Sequence, residues 1–455
     1  MASNLTTINC RPIDATSLVF IRIAVGIACA LIGIRYLAYG WANTLYAKPT
    51  FFFSYDGFAW VKPWPEPWLT MHFVALAALG IFIASGIFYR FAVTAYFVLF
   101  TLSELFDKSN YINHYYALSL ILFLMIFMPL GQKRFFEIPQ EIPAWCRDVL
   151  RFQAGLIYFF AGIAKLNADW LIHAQPLTIW FAARSDWPII GTLLNIPGIA
   201  HGMSIAGMLF DLSIPFLLLN KKTRPYAFCA VVVFHVLTRI LFNIGMFPAI
   251  MTVLATSFLE PSWPRRFFSF VLGSLSSPQK RGPMANDDIE KMSSPRRRGS
   301  RRLINATFLI FFVIQIALPL RHFLYPGNVL WTEAGWRFSW RVMLVEKAAY
   351  LRYRVVDTIT QQTDLVDPRR YITAQQYRLA SASPDMILQL AKHVGSDFLT
   401  RTGHPVRVYA DAFVSLNGRP AARLIDSHVD LLLEADPNHT MTWVTPSPET
   451  AEPLL

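Results

Sequence analysis

Apolar runs of nearly twenty residues recur through the first two thirds of this chain. A run of about 20 predominantly apolar residues forms a helix long enough to cross the hydrocarbon core of a bilayer. Such runs occupy 17–40, 69–88, 91–106, 114–130, 151–166, 200–219, 225–243, 245–260 and 303–322. Two are irregular: 91–106 is short, and 245–260 opens with Gly245-Met246-Phe247-Pro248, as a re-entrant or tilted segment does. The expected fold class is a polytopic α-helical membrane domain of about 8–9 spans followed by a mainly-β extracytoplasmic domain. The expected boundaries are 1–260 for the helical membrane domain, 261–302 for a basic linker, 303–325 for the last membrane helix and 326–455 for the C-terminal domain.

Charge distribution sorts the loops. Only 15% of the residues are charged, against roughly 25% in ordinary soluble domains. Much of the net charge of +12 lies between Arg265 and Arg302, in runs such as Arg296-Arg297-Arg298. In an apolar chain such a run reads as a solvated cytoplasmic loop rather than a nucleic-acid surface. With the N-terminus in the cytoplasm, Arg90, Lys133-Arg134, Lys221-Lys222-Arg224 and 262–302 all fall inside, while the Lys/Arg-poor loops 42–68, 107–113 and 167–199 fall outside. Nine crossings then leave the C-terminal domain outside. The 42–68 loop, rich in Phe and Trp, reads as an aromatic belt or a headgroup site. The polar stretch from Met1 to Ser17 and the length of the first apolar run argue against a cleaved signal peptide. Cys10, Cys29, Cys146 and Cys229 form neither a CxxC pair nor a disulfide framework.

After residue 340 the periodicity changes to two. Val406, Val408, Ala410, Ala412 and Val414 alternate with Arg407, Tyr409, Asp411 and Phe413, and Asn417-Gly418 follows as a hairpin turn signal. Further strands are expected at 350–357, 421–425, 428–433 and 441–445, with a helix at 384–394.

Ionisable side chains within apolar runs are costly and mark functional candidates. They include Arg22, Arg35, Glu104, Asp107, Lys108, His114, Lys165, Asp169, Asp211, His235 and Arg239. Several lie at the outer ends of their runs. Lys165 closes the apolar stretch Ile157–Ala164 and has two readings. It either snorkels to the interface or is buried, where desolvation favours a neutral amine able to act as a general base. His114 heads its run as a capping or acid/base group. His235 and Arg239, four apart, share a helix face and have Asp211 or Glu104 as possible charge partners. No nucleophile elbow, P-loop, dinucleotide fingerprint or zinc-protease motif is present, and no metal is expected.

The stretches Asp107–His114, Tyr158–Trp170, Gly207–Ser213, Phe234-His235, Ile244–Phe247, Leu318-Pro319, His322-Phe323, Trp331-Thr332, Ser339-Trp340 and Phe413–Arg419 resemble, in order, the vitamin K-dependent γ-glutamyl carboxylases. The similarity runs from about residue 17 to 445. It implies that a neutral Lys165 deprotonates vitamin K hydroquinone, a lipid quinone. Reaction with O2 then yields the base that removes a γ-proton from a glutamate of a secreted peptide. CO2 adds there, and the quinone leaves as its epoxide. The resemblance gives Lys165 and His114 catalytic roles and assigns Asn113, His235, Asp107 and Asp169 to the cofactor. His322, Trp331, Thr332, Ser339 and Trp340 are assigned to the peptide.

The chain also departs from the family. Val329-Leu330 replace the Asn-Asn pair that precedes the matched tryptophan in animal members, and Arg341 replaces the acidic residue after the Ser-Trp pair. The animal disulfide has no counterpart among these cysteines. Two alternatives therefore stand beside the carboxylase: a hydroquinone epoxidase that leaves peptides unmodified, and a non-catalytic membrane protein binding lipid or peptide.

Overall fold

A computed structural model describes residues 10–132, 139–188, 190–271, 295–434 and 441–448, excluding the side chains of 295–305. Among them, helices occupy every predicted apolar run. They are α1 (Thr16–Ala38), α2 (Trp68–Ser85), α3 (Tyr89–Leu105), α4 (Asn113–Ile126), α5 (Trp145–Ala164), α6 (Ile199–Leu219), α7 (Arg224–Leu241), α8 (Phe247–Ala255) and α9 (Pro295–Leu320). Five segments are long and apolar enough to cross a membrane: α1, α2, α6, α7 and Ala306–Leu324. The irregular run at 245–260 divides into the nine-residue α8 and a short 3-10 turn, Thr256–Phe258.

The two ends of the helices make different contacts. At one end, strand β1 (Pro12–Asp14) pairs antiparallel with β2 (Glu141–Pro143). Arg265 reaches Thr16 Oγ1 at 2.7 Å and Gln140 Oε1 at 3.0 Å there. Part of the predicted unstructured linker is thus helical, at Trp263–Val271 and again from Pro295. Residues 272–294 of that linker lie outside the described residues. At the other end, the three loops poor in Lys and Arg all meet the C-terminal domain. Ser54 N–H donates to Gln389 Oε1 at 3.0 Å, Lys108 pairs with Asp385 at 2.8 Å, and Trp180 Nε1 donates to Glu346 at 2.7 Å. The aromatic loop 42–68 is divided in the same way. Phe53 is fully buried and Phe51 packs on His393, whereas Trp60 and Trp68 are exposed.

The C-terminal domain is α+β rather than mainly β. Strands β3 (Lys347–Asp357), β4 (Thr363–Val366), β5 (Val406–Leu416) and β6 (Ala422–Arg423) form an antiparallel sheet in the order β4-β3-β5-β6. Alternation in β5 buries Val408, Ala410, Ala412, Val414 and Leu416. Asn417 (φ 50°) and Gly418 (φ 78°) make the turn with the two positive φ values their residue types tolerate. Helices α10 (Ala374–Ala380) and α11 (Pro384–Thr402) complete the domain. The predicted helix at 384–394 thus continues to Thr402. Its buried Met386, Ile387, Leu390, Ala391 and Val394 follow helical spacing, and this stripe supplies the core that strands alone were expected to provide. No strand forms at 428–433, and 441–445 contributes a single bridge, Ile425 to Val444. The short apolar groups there close turns instead of extending the sheet.

Charged groups fasten the two domains. Asp169 receives Arg419 Nη2 at 2.5 Å, Arg419 Nη1 at 2.9 Å and Asn417 Nδ2 at 2.7 Å, all buried. Asp107 accepts from Ser109 N–H and, at 2.7 Å, from Gln376 Nε2. Burial pushes the Asp385 carboxyl up, but Arg337 and Lys108 outweigh it and hold the group below the ordinary carboxylate range. Its stabilising contribution is therefore present at neutral pH and is lost as pH falls through that depressed value. Removing one member of a buried ion pair strands the other and costs about 3–5 kcal/mol. Arg419→Ala is accordingly expected to lower the thermal midpoint of the detergent-purified protein and to expose the 167–199 loop to protease. An unchanged midpoint and digestion pattern would contradict this account of the seam.

Candidate active site

Helix α5 ends where Lys165 takes the C-cap position. Its side chain turns inward, and the residue is 6% exposed. Nζ lies 2.7 Å from Asp211 Oδ2 on α6 and 3.2 Å from the Ala161 carbonyl, with the Trp170 ring 5.2 Å away. Gly162 makes that approach possible. A Cβ there would stand 2.9 Å from the Leu212 backbone nitrogen and 2.8 Å from its side chain. The glycine thus lets α5 and α6 close to the distance at which the lysine and the aspartate meet. Lys165 is therefore buried rather than snorkelling to the interface, and a carboxylate accompanies it.

The pair borders a cavity between the helices and the C-terminal domain. Its walls are largely apolar, with Ile157, Met203, Phe234, Phe242 and Met251 among them. His235 on α7 also lines it. Tyr158 Oη and His235 Nε2 are 2.7 Å apart, while the buried Nδ1 has no protein partner among the described residues. Buried polar atoms are rarely left unpaired. This one suits a ligand that brings its own hydrogen-bonding atom into an apolar pocket. His235 therefore bonds Tyr158, and Asp211 bonds Lys165. Arg239, one turn beyond His235, is exposed.

The other predicted residues are distributed around this cavity. The His114 ring lies directly behind Gly245, 3.1 Å from where a Cβ would stand there, while the adjacent Ile244 lines the cavity. Asn113 accepts from Tyr111 Oη at 3.0 Å and donates at 3.4 Å to the Arg341 carbonyl, next to the lining residues Val342 and Met343. Asp107 and Asp169 face the C-terminal domain and are occupied there. Trp331 is buried and donates to the Thr445 carbonyl at 2.9 Å, and Thr332 hydrogen-bonds the Asn328 carbonyl at 3.2 Å. Ser339 bonds the Trp336 carbonyl, and Trp340 stacks on Tyr116 at 4.9 Å. These four shape the 329–343 segment.

His322 lines a second cavity, of about 1250 Å³, with Asn167, Asp169, Arg341 and Arg419. The two cavities back onto each other. Ala161 and Lys165 face the first, and Ala164, Leu166 and Asn167 face the second. Among the described residues, no group of three or more His, Cys, Asp or Glu side chains could hold a metal ion. Tyr158, Arg341 and Arg419 were not assigned roles from the sequence. Tyr158 and Arg419 lie in stretches that resemble the family, and Arg341 is a departure from it, but none of these signals names a partner or a role.

An apolar helical domain with a lysine–carboxylate pair beside a largely apolar cavity, covered by a polar α+β domain, has the architecture of a membrane enzyme acting on a lipid-soluble substrate. A family model described as HTTM domain matches residues 10–263, more than half of the chain. One described as the lumenal domain of vitamin K-dependent gamma-carboxylase matches residues 300–450. The chain belongs to the vitamin K-dependent gamma-carboxylase family. No solved structure matches it.

The close approach at Gly162 is directly testable. Gly162→Val should force α5 from α6, break the Lys165–Asp211 bond and lower the thermal midpoint. A loss of about 1–3 kcal/mol is expected from overpacking alone, whereas Gly155→Ala, where a Cβ meets only Pro215 at 3.7 Å, should be tolerated. Equal thermal midpoints for the two variants would contradict the packing argument.

Proposed function

We propose that this protein is a vitamin K-dependent γ-glutamyl carboxylase that couples conversion of vitamin K hydroquinone to its epoxide with carboxylation of peptide glutamate, a carbon–carbon lyase chemistry. The observation that carries the reading is Lys165, a buried amine that lines a largely apolar cavity and is bonded to Asp211. Reduced vitamin K, when bound, supplies with O2 the strong base that takes the glutamate γ-proton, after which CO2 adds to that carbon.

The chain's residues bind and deprotonate. The apolar walls take up the ring system, and His235 Nδ1 offers a hydrogen bond to a quinone oxygen. Lys165 Nζ takes a hydroxyl proton from the cofactor, for which the amine must be neutral. Asp211 makes this possible without net charge. Ammonium with carboxylate and amine with carboxylic acid are both neutral overall, so one proton can pass along the 2.7 Å bond inside the cavity. His114 supports the turn at Gly245, and Asn113 holds the 341–343 wall. The apolar surroundings exclude water, which would otherwise quench a strong base.

The proposed organisation keeps eight or nine crossings (about 20 residues each where regular), the N-terminus in the cytoplasm and the C-terminal domain and site on the extracytoplasmic side. Supporting it are the basic residues grouped at one end of the helices and the match of the C-terminal region to a lumenal domain. The quinone then enters from the bilayer and a secreted glutamate-containing peptide from the aqueous side.

Lys165→Ala should lower hydroquinone epoxidation in liposomes by roughly 10²–10⁴-fold, the usual contribution of a positioned general base. Size-exclusion behaviour and quinone binding should be retained. Turnover equal to that of the unmodified protein would remove Lys165 from the base role.

A further inference from the structure

The second cavity holds a positive charge that no described residue neutralises. Arg341 is 9% exposed and lines this cavity. Among the described residues its Nε has no hydrogen-bond partner and no carboxylate forms an ion pair with it. The Trp336 ring lies 6.0 Å away, a favourable cation contact. Burial pulls the guanidinium down to about 10, which leaves it a cation at neutral pH. The other groups in the cavity are committed differently. Asp169 is matched by Arg419. His322 shares its Nδ1 with the Pro319 carbonyl at 2.8 Å. A buried charge without a partner is expensive, and an anion entering the cavity would offset that cost.

The segment carrying Arg341 is held in an unusual conformation. Phe338 (φ 63°), Trp340 (φ 59°) and Met343 (φ 56°) all lie in the left-handed region. Each such residue costs of order 1–3 kcal/mol, and such conformations cluster at ligand sites. The segment also divides the cavities, since Arg341 faces the second while Val342 and Met343 face the first. An anion on Arg341 would sit across this wall from the Lys165 cavity.

We propose that Arg341 receives the side-chain carboxylate of the substrate glutamate. A guanidinium offers a planar, two-donor match to a carboxylate. The assignment rests on the carboxylase reading. It also gives a role to the position where this chain carries a cation in place of the acidic residue of the family pattern.

The test is binding to the full-length detergent-purified protein of a short synthetic peptide with one glutamate, compared with the same peptide bearing glutamine. The unmodified protein should prefer the glutamate peptide by roughly 10–100-fold, the worth of a charge-assisted hydrogen bond. R341Q should abolish the preference, and R341K should restore part of it. Equal binding of both peptides by the unmodified protein, or a full preference retained in R341Q, would overturn the proposal. Should R341Q bind neither peptide, R341K decides: a preference between those extremes supports the proposal, and an undiminished one overturns it. Incorporation of labelled bicarbonate by the same preparation reports separately on the carboxylase reading. A preference that depends on Arg341 without incorporation would leave the anion site standing and remove the reaction.

Discussion

The Lys165–Asp211 bond is the constraint around which this molecule is arranged. An amine and a carboxylate leave water at considerable cost, and their attraction in a poorly polar interior offsets that cost only when the geometry is close. Gly162 brings α5 and α6 together, and the apolar walls keep water away. The surrounding helices must supply a dry chamber, and the open end of that chamber must be covered. The C-terminal domain provides the cover, with residues 342–343 forming part of the chamber wall.

This requirement explains why so many polar residues gather at one end of the helices. Asp107, Lys108 and Asp169 bind Gln376, Asp385 and Arg419 of the C-terminal domain. Their role in the structure is to seat one domain on the other. In the proposed function the chemistry falls to a smaller group: Lys165, Asp211 and His235 on the apolar side, and Arg341 on the polar side. A division into an apolar and a polar compartment suits a reaction that joins a lipid-soluble cofactor to a water-soluble peptide.

Much of this was legible in the sequence, for physical reasons. Spanning helices need long apolar runs, and every such run became a helix. Period-two alternation and Asn417-Gly418 announced β5 and its turn. Helix α11 was anticipated only in part. Lys165 was conspicuous because a lysine closing an apolar run demands an explanation. Asp211 stood out for the same reason, but its pairing with Lys165 did not, because the two lie 46 positions apart and no local pattern reports a tertiary contact. The same holds for Asp169, whose partners lie about 250 residues downstream. Position in a motif shows that such a residue is constrained. Whether it touches cofactor or holds a domain depends on contacts that only the folded chain reveals. Arg341 was visible as a departure from the family pattern, but its lack of a partner required the structure.

Mass spectrometry of a reaction product tests the central claim most directly. The purified protein in liposomes would be given vitamin K hydroquinone, oxygen, isotopically labelled bicarbonate and a glutamate-containing peptide. The account predicts a peptide heavier by one labelled carboxyl group, located by fragmentation on the glutamate side chain and formed only when the hydroquinone is present. A peptide of unchanged mass while hydroquinone is converted to epoxide would contradict it and leave an epoxidase that does not modify peptides.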